Sequence, residues 1–389
     1  MDFYTNVVQW GNFLLVRGVD KNQRVNFRLK YKPTLFVPVM KQTDWKTLDG
    51  KSVTPYQFNC IKDAKDFLLK YESQPHLVHG LNRFAYTYIS DTFPQKVNWN
   101  IDKLLIMTID IEVQCENGFP NPESAIEPLL SITVKNQQSK KIIVWGIQPY
   151  KNTREDVTYI RCPNEHDLIM EFMSFWTKNY PDVITGWNTD FFDIPYLANR
   201  IKQVCGEDKM RELSPWKNVS SKQIYSMGRN HLMYDIMGVS QYDYLQLYQK
   251  FTYTRQESYK LDYIASVELG EKKDENPYET FREWYENDFQ SFIDYNIQDV
   301  EIVDKLEDKM GLIDLALTMA YEGKVNYSDV FGQVKYWDIL IYNFLRKRKI
   351  VIPQKSSHSK NEQYEGAYVK EPITGSVSYT HLRAHETVE

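Results

Sequence analysis

Over the first hundred positions apolar and polar residues alternate in short runs, and further along the runs lengthen. Residues 13–16, 25–29 and 34–37 read as short strands separated by Gly, Asp-Lys-Asn and Lys-Pro turns, and a helical spacing follows over residues 61–69. From Leu104 the texture becomes that of buried strands, at residues 104–113, 129–134 and 141–147. A helix is predicted over 165–178, a strand over 183–187 and a helix over 194–204. Three strands followed by helix, strand and helix predict an α/β (α+β) mixed sheet with helices on its faces. Residues 219–239, with Met227-Gly228-Arg229-Asn230 at their middle, predict a long hairpin. Helical spacing returns over 261–267 and 288–310, and again over 337–345, ahead of the basic run Arg346-Lys347-Arg348-Lys349 and a strand-like 350–353.

Two of these elements carry acids where a core pattern would not. Along 104–113 one face is Leu105, Met107, Ile109, Ile111 and Val113, while the other runs Leu104, Ile106, Thr108, Asp110, Glu112. Strand residues two apart share a face, roughly 6.6 Å apart, so both carboxylates end one side of a strand and can converge beyond it. Strands also end in acids simply because they leave the core. In the helix over 288–310, Phe292, Tyr295, Asp299, Ile302 and Leu306 are spaced three, four, three, four, which is one helical stripe. An acid inside that stripe needs a metal, a proton or a buried cation. A third acid, Asp193, follows Gly186-Trp187-Asn188-Thr189-Asp190-Phe191-Phe192 at a strand-to-helix turn, where capping the helix is its plain structural role. Asp190 is the alternative acid of that turn. Together these are the carboxylates that two hard divalent ions, Mg²⁺ or Mn²⁺, require for phosphodiester hydrolysis.

Composition narrows the partners. The chain of 389 residues holds 28 Tyr, 19 Phe and 9 Trp, enough flat faces for bases to stack on as well as for its cores. A net charge of -5 excludes a generally basic nucleic-acid coat, so any DNA contact is local. Four cysteines without a CxxC pair write neither a disulfide framework nor a zinc ribbon, which fits a reducing, cytoplasmic setting. No leader, no membrane span, no phosphate-binding Gly-rich loop, no HExxH and no GxSxG is present. The glycosylation-like triplets at Asn218 and Asn326 read as chance.

Asp110-Ile111-Glu112, Asn188 with Phe192-Asp193, and Tyr295-Asn296-Ile297-Gln298-Asp299 resemble, in order and separation, the three exonuclease motifs of family B DNA polymerases. Tyr31-Lys32-Pro33-Thr34-Leu35-Phe36, Ser90-Asp91-Thr92, Gly118-Phe119-Pro120, Trp337-Asp338 and Val351-Ile352-Pro353 resemble the replicative polymerases of T-even-type phages. The resemblance implies a ribonuclease H-like 3′-to-5′ exonuclease domain over 104–323, after a smaller mixed N-terminal domain over 1–103. Residues 324–376 would return to the N-terminal domain and lead toward a palm whose Asp-x-x-Ser-Leu-Tyr-Pro signature is absent from this chain. It implies that Asp110, Glu112 and Asp299 bind one ion, that Asp110 and Asp193 bind a second, and that Tyr295 orients the attacking water. Phe119 resembles the aromatic that stacks on the terminal base, although an ordinary loop aromatic would look the same; Asn188 and Phe192 would also touch substrate. Implied partners are a single-stranded 3′ end and primer-template DNA, with a sliding clamp and replisome proteins reached through a missing C-terminal part, and no membrane. Residues 377–389 resemble a sequencing-adapter reading frame, so His381 and His385 are set aside as non-native. The rival expectations are a non-cutting primer-end binding module and a self-standing RNA-trimming exonuclease.

Overall fold

The computed structural model describes residues 1–354 apart from 116–117, 227 and 272–275. The basic run ends inside it, whereas the palm-ward segment beyond 354, the adapter-like stretch and Met227 at the hairpin tip lie outside the described residues. The chain opens with an antiparallel meander, β1 (Phe3–Trp10), β2 (Phe13–Asp20) and β3 (Gln23–Leu29). The strands β4 (Thr34–Pro38), β5 (Trp45–Thr47) and β6 (Ser52–Gln57) form a second sheet, followed by helices α1 (Ile61–Lys70) and α2 (Phe84–Thr92).

The central sheet is built from β7 (Ile106–Val113), β8 (Leu129–Asn136), β9 (Ile142–Gly146) and β10 (Val157–Arg161), then β11 (Val183–Gly186). Helix α3 (Glu165–Lys178) precedes β11, and α4 (Asp193–Cys205) and α5 (Glu207–Arg211) follow it. A two-stranded hairpin, β12 (Val219–Ser226) and β13 (Arg229–Ile236), leads into β14 (Ser240–Asp243), which completes the central sheet in the order β10-β9-β8-β7-β11-β14. β7, β8 and β9 pair antiparallel, while β10 on β9, and β11 between β7 and β14, pair parallel. This mixed six-stranded sheet with helices on both faces is the ribonuclease H-like fold expected from the sequence.

Helices α6 (Tyr244–Phe251), α7 (Leu261–Leu269), α8 (Phe281–Asn287), α9 (Phe289–Met310), α10 (Leu312–Gly323) and α11 (Gln333–Arg346) follow, before the short β15 (Ile350–Val351). β15 pairs parallel with β5.

The alternation along β7 decides which face of the sheet does what. Met107, Ile109, Ile111 and Val113 pack with Leu168, Phe172 and Trp176 of α3 and with Ile194, Leu197 and Ile201 of α4. On the opposite face of the sheet, Leu130, Ile142 and Val144 pack with Phe292, Ile293, Ile297 and Val300 of α9. Each of these side chains contributes roughly 1.5–3 kcal/mol when fully buried, so α9 is pinned along its length. Thr108, Asp110 and Glu112 therefore face the side that α9 covers. A third cluster joins β1, β2, α1 and α2 to α10 and α11 through residues such as Tyr4, Phe84, Tyr321 and Ile339. The side chain of Asn326 brackets Val7 of β1, accepting from its N–H at 2.8 Å and donating to its carbonyl at 2.8 Å.

Candidate active site

Three carboxylates meet where β7 passes under α9. Asp110, Glu112 and Asp299 each offer an oxygen, and these oxygens lie within 4.8 Å of one another. Asp299 is buried while Asp110 and Glu112 are half-buried, so the cluster opens on one side. All of its donors are hard carboxylate oxygens, the set that suits Mg²⁺ or Mn²⁺ rather than a soft metal.

Asp193 stands beside this triplet but outside it. The sequence allowed it to cap α4; in the structure it is the first helical residue, Phe192 occupies the cap position, and no side-chain cap bond forms. Its Oδ1 accepts instead from the backbone N–H of Ile111 at 3.1 Å, between the two acids of β7. That partner lies 82 residues away in sequence, which is why local reasoning favoured the cap. Burial pushes the Asp193 carboxyl up to about 7; the Ile111 N–H and its own N–H pull it down, and the charge of Asp299 pushes it up further.

The turn that carries Asp193 is held by a residue the sequence reading passed over. Asp243, at the end of β14, accepts from the N–H of Asn188 at 3.0 Å, of Asp190 at 3.3 Å and of Leu245 at 2.9 Å. Asn188 adopts a left-handed backbone with φ of 63°, which Asn tolerates better than most residues. A Cβ at Gly186 would lie 2.4 Å from the carbonyl oxygen of Ile109, so only glycine lets β11 pass this close to β7. Asp190 accepts from Gln246 Nε2 at 2.8 Å, and burial lifts its carboxyl to about 6, opposed by Gln246 and Lys222.

Next to the triplet is a cavity of about 650 Å³ lined by Glu112, Phe119, Phe192, Phe281, Arg282 and Tyr295, among others. Phe119 is 83% exposed, and its ring lies 5.0 Å from that of Phe192, so one aromatic wall faces open space. Tyr295 is braced from behind by Trp284, edge-on at 4.8 Å, and by Phe281 at 6.3 Å. Glu112 thus belongs to both the acid cluster and the cavity wall, and Tyr295 lines the same cavity. Asn188 is not among the cavity's lining residues, and its backbone role in the turn is what the structure displays.

Asn296, next to Tyr295, is a second residue that sequence reasoning left unassigned. It is fully buried, and its Nδ2 donates to Asp110 Oδ2. Its Oδ1 accepts from Ser131 Oγ at 3.0 Å and from Thr133 Oγ1. Its place one turn before Asp299 was visible in the sequence, but the partners on β8 were not.

Comparison with known proteins gives a consistent family. Residues 81–264 match the model of the DNA polymerase family B exonuclease domain, a span that holds Asp110, Glu112 and Asp193 and ends before α9. The chain is 34% identical, over 97% of its length, to the DNA-directed DNA polymerase of Escherichia phage RB69, and covers 45% of that protein. It is 33% identical over 95% of its length to the DNA-directed DNA polymerase of Enterobacteria phage T4, covering 44% of it. The DNA polymerase delta catalytic subunit of Candida albicans is 27% identical over 72% of the chain. The chain therefore spans less than half the length of these phage relatives. No helix among the described residues is long and apolar enough to cross a membrane.

Proposed function

This chain belongs to DNA polymerase family B, and from that premise we propose that it carries a proofreading 3′-to-5′ exonuclease which hydrolyses the terminal phosphodiester of DNA. The observation that carries the proposal is the convergence of Asp110, Glu112 and Asp299 within 4.8 Å beside an aromatic-walled cavity. The donor set fits hard divalent ions: Asp110, Glu112 and Asp299 would hold one, and Asp110 with Asp193 a second. Such ions, when bound, supply a water nucleophile at neutral pH and charge stabilisation for the leaving 3′ oxygen. The protein's own part is placement. Phe119, seated against Phe192, stacks on the 3′-terminal base, and Tyr295, braced by Trp284 and Phe281, orients the attacking water at the edge of the cluster. Burial raises the Asp193 carboxyl when no ion is bound, and a cation held between it and Asp110 would favour its charged form.

In this reading residues 1–103 form an N-terminal domain, 104–323 the exonuclease domain, and 324–376 a segment that returns to the N-terminal domain. A single-stranded 3′ end and primer-template DNA are the proposed ligands, a sliding clamp and replisome proteins the proposed partners, and the host cytoplasm the proposed location.

The test is degradation of 5′-labelled single-stranded DNA and RNA oligonucleotides with Mg²⁺, with Mn²⁺ and with chelator. Stepwise shortening of DNA from its 3′ end, abolished by chelator, is the expected result. Binding without cutting would make the protein a primer-end binding module, and preference for RNA would make it an RNA-trimming enzyme; either outcome contradicts the proposal.

A further inference from the structure

A carboxylate on a strand can turn about its last torsion, and its usefulness as a ligand depends on what stops it turning. For Asp110 that stop is Asn296, which is fully buried and donates Nδ2–H to Asp110 Oδ2. The amide is itself held. Ser131 Oγ, at 3.0 Å, and Thr133 Oγ1 both donate to Asn296 Oδ1. An amide turned end for end would aim its carbonyl at the Asp110 carboxylate, acceptor against anion, so the charge of Asp110 selects the orientation, and the two hydroxyls, able to donate or accept, donate to the oxygen it leaves facing them. The register of the sheet places the two hydroxyls: Thr133 is the cross-strand partner of Asp110, and Ser131 that of Glu112. The arrangement is a closed loop, from the acid strand to its neighbour, up to α9 and back to the acid.

We propose that Asn296 is a positioning residue that aims the Asp110 carboxylate at a divalent cation, with Ser131 and Thr133 as the clamp that fixes its amide. This rests on the reading of Asp110, Glu112 and Asp299 as a metal site. A polar group that merely filled the core would need hydrogen bonds but would have no reason to end on that acid. Partners behind a metal ligand typically change metal affinity by 10–100-fold, and the clamp, one step further back, acts more weakly.

The experiment is a calorimetric Mn²⁺ titration of the whole chain, with single-stranded DNA hydrolysis measured beside it. Asn296→Ala is expected to weaken Mn²⁺ binding by about tenfold, and Thr133→Val, which keeps shape but loses the hydroxyl, by about threefold. Thr133→Ser, which keeps the hydroxyl, is expected to bind as the wild type does. Hydrolysis by Thr133→Val should fall at limiting Mn²⁺ and recover at saturating Mn²⁺, a rescue that a packing defect would not show. If Asn296→Ala fails to fold, the Val and Ser pair at position 133 still decides the matter. Equal Mn²⁺ affinity in the wild type and Thr133→Val, or equal loss in Thr133→Val and Thr133→Ser, overturns the positioning role. A wild type that binds no Mn²⁺ overturns the metal-site reading itself, and the inference with it.

Discussion

Asp299 and Asp304 lie five residues apart on α9, are both buried, and are treated in opposite ways. Asp304 receives Lys135 Nζ at 2.8 Å on one oxygen and Lys140 Nζ at 2.8 Å on the other. Asp299 stands instead within 4.8 Å of two further carboxylates, Asp110 and Glu112. The first solution recurs where β2 meets the start of β11, since Arg17 lies 3.3 Å from buried Asp182. A buried acid matched by cations holds elements together, whereas buried and half-buried acids gathered on one another offer oxygens that could hold a cation. Burial alone does not separate the two kinds; the charge of the neighbours does.

The largest expected effect is on chemistry. Asp110→Ala or Asp299→Ala should lower single-stranded DNA hydrolysis by more than about a thousandfold with the fold intact by circular dichroism. Full activity in either variant, with contaminating nuclease excluded, would remove these residues from the site. Asp304→Ala should do the reverse. It leaves Lys135, itself buried, without its partner and should cost about 3 kcal/mol in urea unfolding while changing the rate of the folded protein little. A stable Asp304→Ala protein with lost activity would erase the contrast.

Asp190 sharpens the comparison, because it is buried with an amide as its hydrogen-bond partner rather than a cation at contact distance. Its carboxyl is raised from 3.8 to about 6, so the folded state holds a proton that the unfolded state has released between those values. Stability from this group is therefore fully present only below the unfolded value of 3.8, is lost as pH rises from there through about 6, and stays reduced above it. Asp190→Asn should gain on the order of 2 kcal/mol at pH 8 and almost nothing below about pH 3. A gain independent of pH would show that the carboxyl is not the cause. A smaller effect is expected on the aromatic side of the cavity. Phe119→Ala should raise the KM for single-stranded DNA roughly fivefold, about 1 kcal/mol, and leave kcat nearly unchanged. An unchanged KM would return Phe119 to the status of a loop aromatic.

What the sequence revealed follows from how local each signal was. Asp110 and Glu112 stood out by two-residue alternation, and Asp299 by its place in a three-four stripe; both periods survive into β7 and α9. The hairpin, α3 and α9 fell close to their predicted bounds because long periodic runs dominate there. Short or atypical elements escaped. α2, Phe-Ala-Tyr-Thr-Tyr-Ile-Ser-Asp-Thr, is rich in residues that favour strands, and burial of Phe84, Tyr86 and Ile89 overrides that preference. β10 pairs in parallel with the preceding strand β9, and β14 in parallel with the more distant β11, so neither follows its partner through a tight turn that would announce it. Asp243 went unnoticed for the same reason: it acts on Asn188 and Asp190 from the end of a four-residue strand. Asn296 is adjacent to a motif residue, yet its meaning lies in Ser131 and Thr133, 165 and 163 positions away.

The central claim is that Asp299 belongs to a cation site and Asp304 to a structural ion pair, and thermal melts of wild type, Asp299→Asn and Asp304→Asn in chelator and in Mn²⁺ test it most directly. Removing one charge from three acids within 4.8 Å should relieve repulsion, so Asp299→Asn should be more stable than wild type in chelator by about 1 kcal/mol. It should then lose most of the Mn²⁺-induced rise in melting temperature, while Asp304→Asn melts lower in chelator and keeps the full rise. An Asp299→Asn protein that melts below wild type in chelator and gains the same increment from Mn²⁺ would contradict the account, making Asp299 a second structural acid and placing the metal elsewhere.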